Sequence, residues 1–428
     1  MTAEAETGVS FPFVTAPLIS WAQDVAATPS NGTQKAFTLR PGDDTTTAFS
    51  TEGAVIDLLP GAEYHWHREN ISTTVTIRGN GATVRNARPV SGPCIFIRST
   101  TGSPMNLRVS LEDIIFKGYE DPDRASPMSN TASQNCAVWI HQAWKATVLR
   151  CTFINWRGAA LWFSDTTTYW SSQQWSQQHM VCQNRFEGCR ICIANTGGSE
   201  YSLASNNCFF DCQIAFNVIG GNWNRCGNVI VNCRCAYLHA RNNMWFAGSS
   251  GVFNAAHDTF VGNVLNHCDY GGNRWPTVLT MANGSQIQLA AFYFDNTGAY
   301  PPLWCGNTQY YGDMKLLNYN SGGMKAWVIS GCIFMAGSNS MPTAGNITVS
   351  NGGDKVYLIG CSSNASVQVT GIAAANMTPS VGTIVAAGTG KKQAEQASPA
   401  VPSPAAEEPL SEAAPQKKKP RIKRKKTV

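Results

Sequence analysis

The chain has 428 residues, more than a single compact core usually organises, so it contains either several domains or a repeat that adds length without adding thickness. Only 14% of the residues are charged, and Gly, Asn, Ser and Thr are frequent, which favours short strands and tight turns over helices. The net charge is +5, and residues 391–428, with ten Lys or Arg and four Glu, carry +6, so the rest is near −1. A neutral body argues against a fold that binds nucleic acid, and no apolar run reaches the roughly 20 residues that cross a bilayer.

Residues 1–35 combine scattered prolines with apolar and aromatic residues, and predict an irregular N-terminal arm. The first ten residues include acids and lack a basic, apolar leader, so we expect a soluble chain that does not enter the secretory route. From Ala36 onward, short runs of β-forming residues alternate with turn residues, for example at Ala54 to Leu59 and Thr147 to Phe153. These runs predict one all-β domain over residues 36–385.

Between residues 180 and 270 one motif recurs: Asn, any residue, an apolar residue, any two residues, Cys. Its four copies are Asn184, Phe186, Cys189; Asn207, Phe209, Cys212; Asn228, Ile230, Cys233; and Asn263, Leu265, Cys268. The copies start 23, 21 and 35 residues apart. The first two intervals match one coil of a β-solenoid, and the third matches one coil plus an inserted loop. We expect this loop to include residues 242–251. Looser copies at Cys151-Phe153-Trp156 and Cys332-Phe334 extend the repeat over most of the body.

The repeat predicts a right-handed, single-chain parallel β-helix, because a leucine-rich repeat of similar length would need a dense Leu lattice that is absent. Coils stack about 4.8 Å apart in such a fold, so equivalent side chains form rows along the interior. We expect the Asn row at a corner, with each Asn in a left-handed backbone conformation and bonded to the Asn of neighbouring coils. The apolar residue points inward, and Cys fills the narrow interior as a compact hydrophobe.

The cysteines are expected to be free thiols. There are 15 of them, an odd number in a large chain without a leader, which argues against a disulfide framework. Cys189-x-x-Cys192, with Cys182 and Cys233-x-Cys235 nearby, has zinc-like spacing. Residues two or three apart at a β-helix corner are expected to face different directions, so we predict no metal site and no cofactor.

Histidines and acids give no clear catalytic set. His65 and His67 share a strand face without a third ligand nearby, and adjacent His257 and Asp258 would point to opposite faces. Enzymes with this fold use paired acids in a groove, whereas the acids here cluster near turns in the N-terminal portion, for example as Glu112-Asp113. We therefore predict no catalytic residues and no enzyme, and we interpret the Trp residues as protein interfaces rather than sugar platforms.

Residues 386–428 predict a disordered tail rich in Pro, Ala and Lys, because the segment cannot bury enough apolar surface to fold. It ends in a basic block formed by Lys417, Lys418, Lys419, Pro420, Arg421, Lys423, Arg424, Lys425 and Lys426. Such a block favours recognition by nuclear import receptors. Nonspecific binding of nucleic acid and simple solubilisation are the alternatives.

The run from Met180 to Trp275 resembles two related adenovirus families, on the segments Asn184 to Cys189, Asn228 to Cys233 and His257 to Leu265. One is the cementing capsid protein encoded at the left-hand end of atadenovirus genomes, and the other is the large early transforming protein of other adenoviruses. The resemblance implies a homotrimer of β-helices on the virion surface that contacts hexon and fastens neighbouring hexons together. It also implies assembly in the host nucleus, and no membrane partner.

Two other functions remain open at the level of sequence. A β-helix polysaccharide lyase or hydrolase, or a tailspike-like protein, would show two or three carboxylates together on one face. A nuclear interaction protein would bind host regulators, as the early transforming proteins do.

Overall fold

In the computed structural model, the described residues are 35–87, 92–99, 107–118, 135–164, 176–195, 199–218, 221–240, 258–269, 273–280, 286–295, 302–317, 326–337, 345–349, 355–371 and 384–386. Strands in this part of the chain begin at Ala36 and end at Ala386. The predicted arm before residue 35, the predicted loop 242–251 and the predicted tail beyond residue 386, with its basic block, lie outside the described residues.

Three long sheets form the body, and every strand in them runs parallel to its neighbours. Successive coils of the chain each add one strand to sheet A, then one to sheet B, then one to sheet C. The motif copies fall in phase, so that Phe186 pairs with Phe153 in the coil before and with Phe209 in the coil after. This arrangement confirms the predicted all-β, single-chain parallel β-helix.

The strands of each sheet, in the order in which they pair, are as follows. Sheet A contains Ala36–Leu39, Ala54–Leu58, Val75–Arg78, Arg108–Glu112, Lys145–Leu149, Met180–Cys182, Ser202–Ser205, Trp223–Cys226, Thr259–Val261, Leu303–Cys305, Ala326–Ser330 and Lys355–Ile359. Sheet B contains Glu63–Trp66, Thr83–Asn86, Ile115–Lys117, Thr152–Ile154, Arg185–Glu187, Cys208–Phe210, Val229–Val231, Val264–Asn266, Thr308–Tyr310, Ile333–Met335 and Ser362–Ser363. Sheet C contains Glu69–Ile71, Ile95–Arg98, Val138–His141, Ala159–Ser164, Ile191–Asn195, Ile214–Val218, Cys235–Ala240, Phe292–Asp295, Met314–Leu317, Ile347–Val349, Val367–Thr370 and Ile384–Ala386.

The three sheets differ in how they are covered. Most strands of sheet B have three residues, and the middle one faces the interior, as in Arg185–Glu187, where Phe186 alone is buried. Sheet A alternates in the same way, with its outer side chains partly exposed. Central strands of sheet C are buried on both faces, as in Ala159–Ser164 and Cys235–Ala240. Such two-sided burial explains why these strands read as continuous apolar runs rather than alternating ones.

The corner between sheets A and B is a tight turn of two residues. Its first residue has a left-handed backbone, with φ near 59° at Gln183, 55° at Asn206 and 64° at Gly227. The motif Asn follows in the second position and is not left-handed, so the expectation that the Asn itself takes this conformation is wrong. The Asn side chain turns inward instead, because the residue before it makes the bend.

Two further elements cover parts of the helix. A short α-helix, Thr46–Ser50, lies near the N-terminal coils and packs Phe49 edge-on against Trp66 at 5.5 Å between ring centroids. An antiparallel pair, Val278–Thr280 with Gln286–Gln288, lies against the outer face of sheet C. We call the described residues 273–280 and 286–289 the strap. Leu279 and Leu289 of the strap belong to a second apolar cluster that includes Trp162.

Candidate functional site

The Asn row lies inside the A–B corner as a continuous amide ladder. Asn184 Nδ2 donates to Asn207 Oδ1 at 3.0 Å, and Asn207 Nδ2 donates to Asn228 Oδ1 at 3.0 Å. Asn228 Nδ2 donates to Asn263 Oδ1 at 2.9 Å, and Asn263 Nδ2 donates to Asn307 Oδ1 at 3.0 Å. Asn307, which lies outside the four motif copies, is the last residue of the series. Each backbone N–H also donates to the next Oδ1, and each Nδ2 donates to a sheet A carbonyl. The amides are thus used within the fold and are not open to a ligand.

The apolar row of the motif stacks along the inner face of sheet B. Ring centroids lie 4.8 Å apart between Phe153 and Phe186, and 4.9 Å apart between Phe186 and Phe209, and the ring planes are nearly parallel. Ile230 and Leu265 continue the row, and both are fully buried. These side chains form core and give no binding surface.

The Cys row, Cys189, Cys212, Cys233 and Cys268, is fully buried at the B–C corner. Cys189 and Cys192 both face the interior and hydrogen-bond to each other, so the expectation that they face different directions is wrong. Burial raises the pKa of both thiols, so they behave as compact apolar side chains in the core. All 15 cysteines are free, and within the described residues no group of three His, Cys, Asp or Glu is placed to hold a metal.

The other residues of the zinc hypothesis lie apart. Cys182 is half-buried on the outer face of sheet A, where its Sγ lies 3.3 Å from Ser205 Oγ. Cys235 belongs to the apolar cluster beneath the strap, on the outer face of sheet C. His65 and His67 have separate partners, since His65 Nε2 lies 3.1 Å from Glu63 Oε1, whereas His67 Nδ1 faces Asn86 Oδ1 at 3.2 Å.

The acids noted in the sequence are neutralised locally rather than gathered in a groove. Arg150 binds Asp113 at 2.8 Å and lies 3.6 Å from Glu112, on the outside of the helix. Asp44 accepts hydrogen bonds from the backbone and hydroxyl of Thr46. The run from Glu120 to Asp123 lies outside the described residues.

A buried ion pair that the sequence did not predict lies inside the central coils. Arg225 Nη1 bonds Asp258 Oδ2 at 2.6 Å, and both side chains are fully buried. Asp258 also accepts the hydroxyl of Tyr237 at 2.9 Å and the backbone N–H of Trp223 at 2.8 Å, and Arg225 Nη2 donates to Asn195 Oδ1 at 2.9 Å. Without access to solvent this cluster holds neighbouring coils together. The local structural role predicted for Asp258 agrees with this placement, and His257 lies outside the described residues.

The tryptophans predicted to form interfaces are buried where the structure describes them, except for Trp139 and Trp144, which are half-buried. Trp156 and Trp223 are buried inside the helix, and Trp162 and Trp275 are buried on the outside of it. Trp139 is half-buried on the outer face of sheet C and stacks on Trp162 at 4.2 Å, with Phe96 beyond it at 4.8 Å. Stacking between coils covers the ring faces, so the row does not offer a platform for a sugar.

One pair of carboxylates interacts near the strap. Asp269 lies at the B–C corner, where its pKa is raised to about 6, mainly by burial and to a smaller extent by the charge of Asp313. Arg234 lies 3.4 Å from Asp269 and opposes the shift, while two of its nitrogens donate to the carbonyl of Trp275 in the strap. A buried acid of raised pKa beside a second acid is the arrangement that general acid catalysis uses. The pair escaped the sequence analysis because the two acids lie 44 residues apart.

The largest surface feature of the described residues is what we call the A–B face. It consists of the outer side chains of sheets A and B in the central and C-terminal coils: Met180, Cys182, Leu203, Ser205, Asn224, Cys226, Thr259, Val261, Leu303, Cys305, Val328, Ser330, Tyr357 and Ile359 on sheet A, and Cys208, Phe210, Val229, Val231, Val264, Asn266, Thr308, Tyr310, Ile333 and Met335 on sheet B. None of these residues is charged. Arg185 and Glu187, the outer residues of the sheet B strand in the coil of Met180 and Cys182, border the face and pair with each other at 2.9 Å. Val229 and Leu303 are 41% and 42% exposed, which is unusual for large apolar side chains at the surface of a sheet.

The N-terminal coils have a different outer surface. The row that contains Cys182 and Ile359 in the A–B face is occupied there by Asp57, Arg78 and Glu112. The outer row of sheet A that ends near the A–B corner is therefore charged in the first coils and uncharged from Cys182 to Ile359. Within the described residues, no helix is both long and apolar enough to cross a bilayer.

No protein-family model and no curated protein matches the sequence. A mutant DFA-IIIase from Arthrobacter chlorophenolicus A6, solved in complex with DFA-III, is similar in structure at 12% identity and a TM-score of 0.42, over 83% of this chain and 85% of that chain. Tailspike protein 3 of bacteriophage CBA120 is similar at 9% identity and a TM-score of 0.39, over 80% of this chain and 55% of that chain. At these identities and TM-scores the similarity says nothing about ligand or activity.

Proposed function

We propose that the protein is a structural component of a virus particle, a homotrimer of β-helices that fastens neighbouring capsomers on the outer surface. The observation that supports this most is the A–B face, because its uncharged rows expose large apolar side chains such as Phe210, Val229 and Leu303, which is typical of a contact site. Hexon is the partner that the resemblance to the adenovirus cementing protein implies. The virion surface and, during assembly, the host nucleus are the corresponding locations.

A protein that fastens capsomers must be rigid, and the contacts between coils in the interior of this β-helix provide that rigidity. The amide ladder from Asn184 to Asn307 and the stacked Phe row hold each coil in register with the next. The Arg225–Asp258 pair links further coils in the same region. Such interior networks leave the outer surface as the part of the molecule that meets partners.

The mass of the purified protein in solution tests the proposal. Light scattering should give a particle of three copies of the 46.2-kDa chain, and deletion of residues 391–428 should leave three copies. The trimer should also co-sediment with purified hexon, whereas an unrelated trimeric β-helix protein should not. A monomer at micromolar concentration, or no binding to hexon, contradicts the proposal.

A second candidate, a β-helix enzyme that cleaves polysaccharide, is favoured by one observation, the raised pKa of Asp269 beside Asp313. Arg234 connects Asp269, at 3.4 Å, to the carbonyl of Trp275 in the strap. A screen of polysaccharides for newly formed reducing ends or unsaturated products tests it. Activity that disappears in Asp269→Asn while the fold is retained supports this candidate, and no activity on any polymer counts against it.

We also propose that the basic block from Lys417 to Lys426 directs nuclear import. Ten Lys or Arg between residues 391 and 428 make this the most positive segment of the chain. A fluorescent reporter fused to residues 391–428 should accumulate in nuclei, and replacement of Lys417, Lys418 and Lys419 by alanine should leave it evenly distributed. Equal distribution of both reporters refutes the import role.

A further inference from the structure

We infer that copies of this chain associate through the A–B face, with their helix axes side by side and pointing in the same direction. The inference rests on the proposed function, because it assigns the contact within the homotrimer. It names the surface, the partner and the relative direction of the copies.

Charge makes the A–B face compatible with a second copy of itself. Around a three-fold axis, residues close to the axis meet their own counterparts, so a charged row beside the axis would face the same charge in the partner copies. The A–B face avoids this because its side chains are uncharged, and Arg185 and Glu187, which border it on sheet B, pair with each other within one chain at 2.9 Å. In the N-terminal coils, where charges are present, several are neutralised within one chain, as between Glu63 and Arg85 at 2.9 Å and between Asp113 and Arg150 at 2.8 Å.

Shape also favours a partner that is straight and parallel to the helix axis. The strands pair in phase, so the exposed residues of successive coils form straight rows rather than a scattered patch. The A–B corner between the two halves of the face is formed by Gly227, Gly262, Gly306, Gly331 and Gly360, one in each coil. Arg150, Gln183 and Asn206 adopt the same left-handed conformation in earlier coils, so the backbone alone does not require glycine. The glycines leave this ridge bare, and another backbone can approach it closely.

Three half-buried thiols mark positions along the face. Cys182 pairs in register with Ser205, and Ser205 with Cys226. Cys226 pairs with Val261, and Val261 with Cys305. The three thiols are therefore two coils apart, about 9.6 Å at the usual 4.8 Å spacing, whereas a disulfide needs Cα atoms within about 7 Å. A disulfide between members of this row can form only between copies.

The thiol row reports the direction of the partner. In a parallel arrangement each thiol meets its own counterpart, so Cys182 links to Cys182, Cys226 to Cys226 and Cys305 to Cys305. In an antiparallel arrangement Cys226 still meets Cys226, but Cys182 meets Cys305. The identity of the linked peptides therefore distinguishes the two.

The first experiment oxidises the full-length trimer in a Cys208→Ser background, which removes the fourth half-buried thiol. Diamide is the oxidant, and for each disulfide it takes up the two hydrogens released by two thiols and becomes a hydrazine. We expect covalent dimers on non-reducing gels, with homotypic Cys226 links and at least one of the homotypic Cys182 and Cys305 links by mass spectrometry. Cys182–Cys305 links, or no link in an intact trimer, overturn the inference. Cys226→Ser should remove the Cys226 link and leave the others.

The second experiment places like charges in the face. Val229→Lys with Leu303→Lys should convert the trimer to a monomer at the same protein concentration, because the new charges meet their counterparts in the other copies. Val278→Lys is the matched control, since Val278 is 40% exposed and lies on the strap, away from the A–B face. Circular dichroism of each variant verifies that the β-helix is retained. A double variant that stays trimeric while folded overturns the inference.

The two experiments separate failure of the inference from failure of the proposed function. A wild-type protein that is monomeric removes the trimer and with it the proposed function. A wild-type trimer that is insensitive to Val229→Lys with Leu303→Lys preserves the proposed function and rejects only the A–B face as the contact.

Discussion

Replacing Asn207 with alanine should remove a connected set of buried hydrogen bonds from the centre of the amide ladder. The Oδ1 atom of Asn207 accepts the backbone N–H and the Nδ2 of Asn184, both at 3.0 Å. Its Nδ2 donates to the carbonyl of Val181 at 2.9 Å and to Asn228 Oδ1 at 3.0 Å. The side chain is 1% exposed, so water cannot take over these bonds in the folded state.

The expected cost follows from the number of bonds. Four buried hydrogen bonds at a net value of about 1 kcal/mol each give a loss of about 4 kcal/mol in the free energy of unfolding. The partners of Asn207, among them the backbone N–H of Asn184, stay buried after the change without this bond. Strand pairing holds the coils at about 4.8 Å, so the neighbouring chain cannot collapse to satisfy them.

Equilibrium unfolding in urea, followed by circular dichroism, measures the loss. Asn224→Ala is the matched control, because Asn224 lies in the next coil but is exposed on sheet A, where its Oδ1 accepts only the hydroxyl of Thr259. We expect that control to change stability by less than about 1 kcal/mol. Equal losses for Asn207→Ala and Asn224→Ala would refute the claim that the ladder stabilises the stack.

Three further predictions concern thiols, the buried ion pair and pH. In the folded protein, maleimide should label the eleven buried thiols more slowly than the four half-buried ones. Titration in denaturant without reductant should find all 15 thiols, and oxidised core thiols would contradict this. Arg225→Met should lower the free energy of unfolding by about 3 to 5 kcal/mol, because it leaves the buried Asp258 without its partner. Adding Asp258→Asn should recover much of the loss, because it removes the unpaired charge but keeps an acceptor for the Trp223 N–H. An unchanged urea midpoint in the single variant would count against a stabilising role of the pair. Burial lowers the pKa of His179 to about 3, so between pH 6.5 and pH 3 the folded state binds fewer protons than the unfolded state. The free energy of unfolding should therefore decrease as the pH falls from about 6.5 towards 3. His179→Asn, which keeps an acceptor for the Ala146 N–H, should give a smaller shift of the urea midpoint between pH 7 and 4 than the wild type.

The fold was predictable because the motif encodes the register of the coils. Asn, an apolar residue and Cys at fixed offsets, repeated at intervals of 21 to 23 residues, correspond to three rows that the structure places on successive coils. A one-residue change in that spacing would move Phe209 from the interior to the outer face, so the spacing itself is evidence for a buried row. Parallel strands and a three-sided coil follow from the same periodicity.

The left-handed conformation at the A–B corner was predicted at the Asn, but it lies one residue earlier in the chain. Asn was expected in the left-handed position because Asn tolerates it, yet Gln183 and Gly227 occupy that position and the Asn follows. The Asn instead satisfies the backbone of two coils through its side chain, which only the three-dimensional register reveals. Spacing in sequence identifies a row, but it does not say which backbone groups the row must satisfy.

Contacts that cross between distant coils were beyond the sequence analysis. Asp258 meets Arg225 only because an insertion separates them by 33 residues and returns the chain to the same row. The lengths of insertions also decide that Asp269 interacts with Asp313 and that the strap covers Trp162. A local motif cannot specify these distances, so the second apolar cluster and the acid pair became visible only in the structure.

The interior and the outer surface of the later coils are two consequences of one register. The amide ladder from Asn184 to Asn307 constrains each coil to repeat the position of the last, because every Oδ1 must meet the N–H groups of the coil before it. Outer side chains of the same coils are then forced into straight rows, whatever their chemistry. Charged residues in such rows would stack on like charges every 4.8 Å or require alternating signs, as Asp57, Arg78 and Glu112 do in the first coils. The rows of the A–B face are uncharged, which removes that constraint and leaves a surface suited to a partner with the same spacing. A second copy of the β-helix has that spacing by construction.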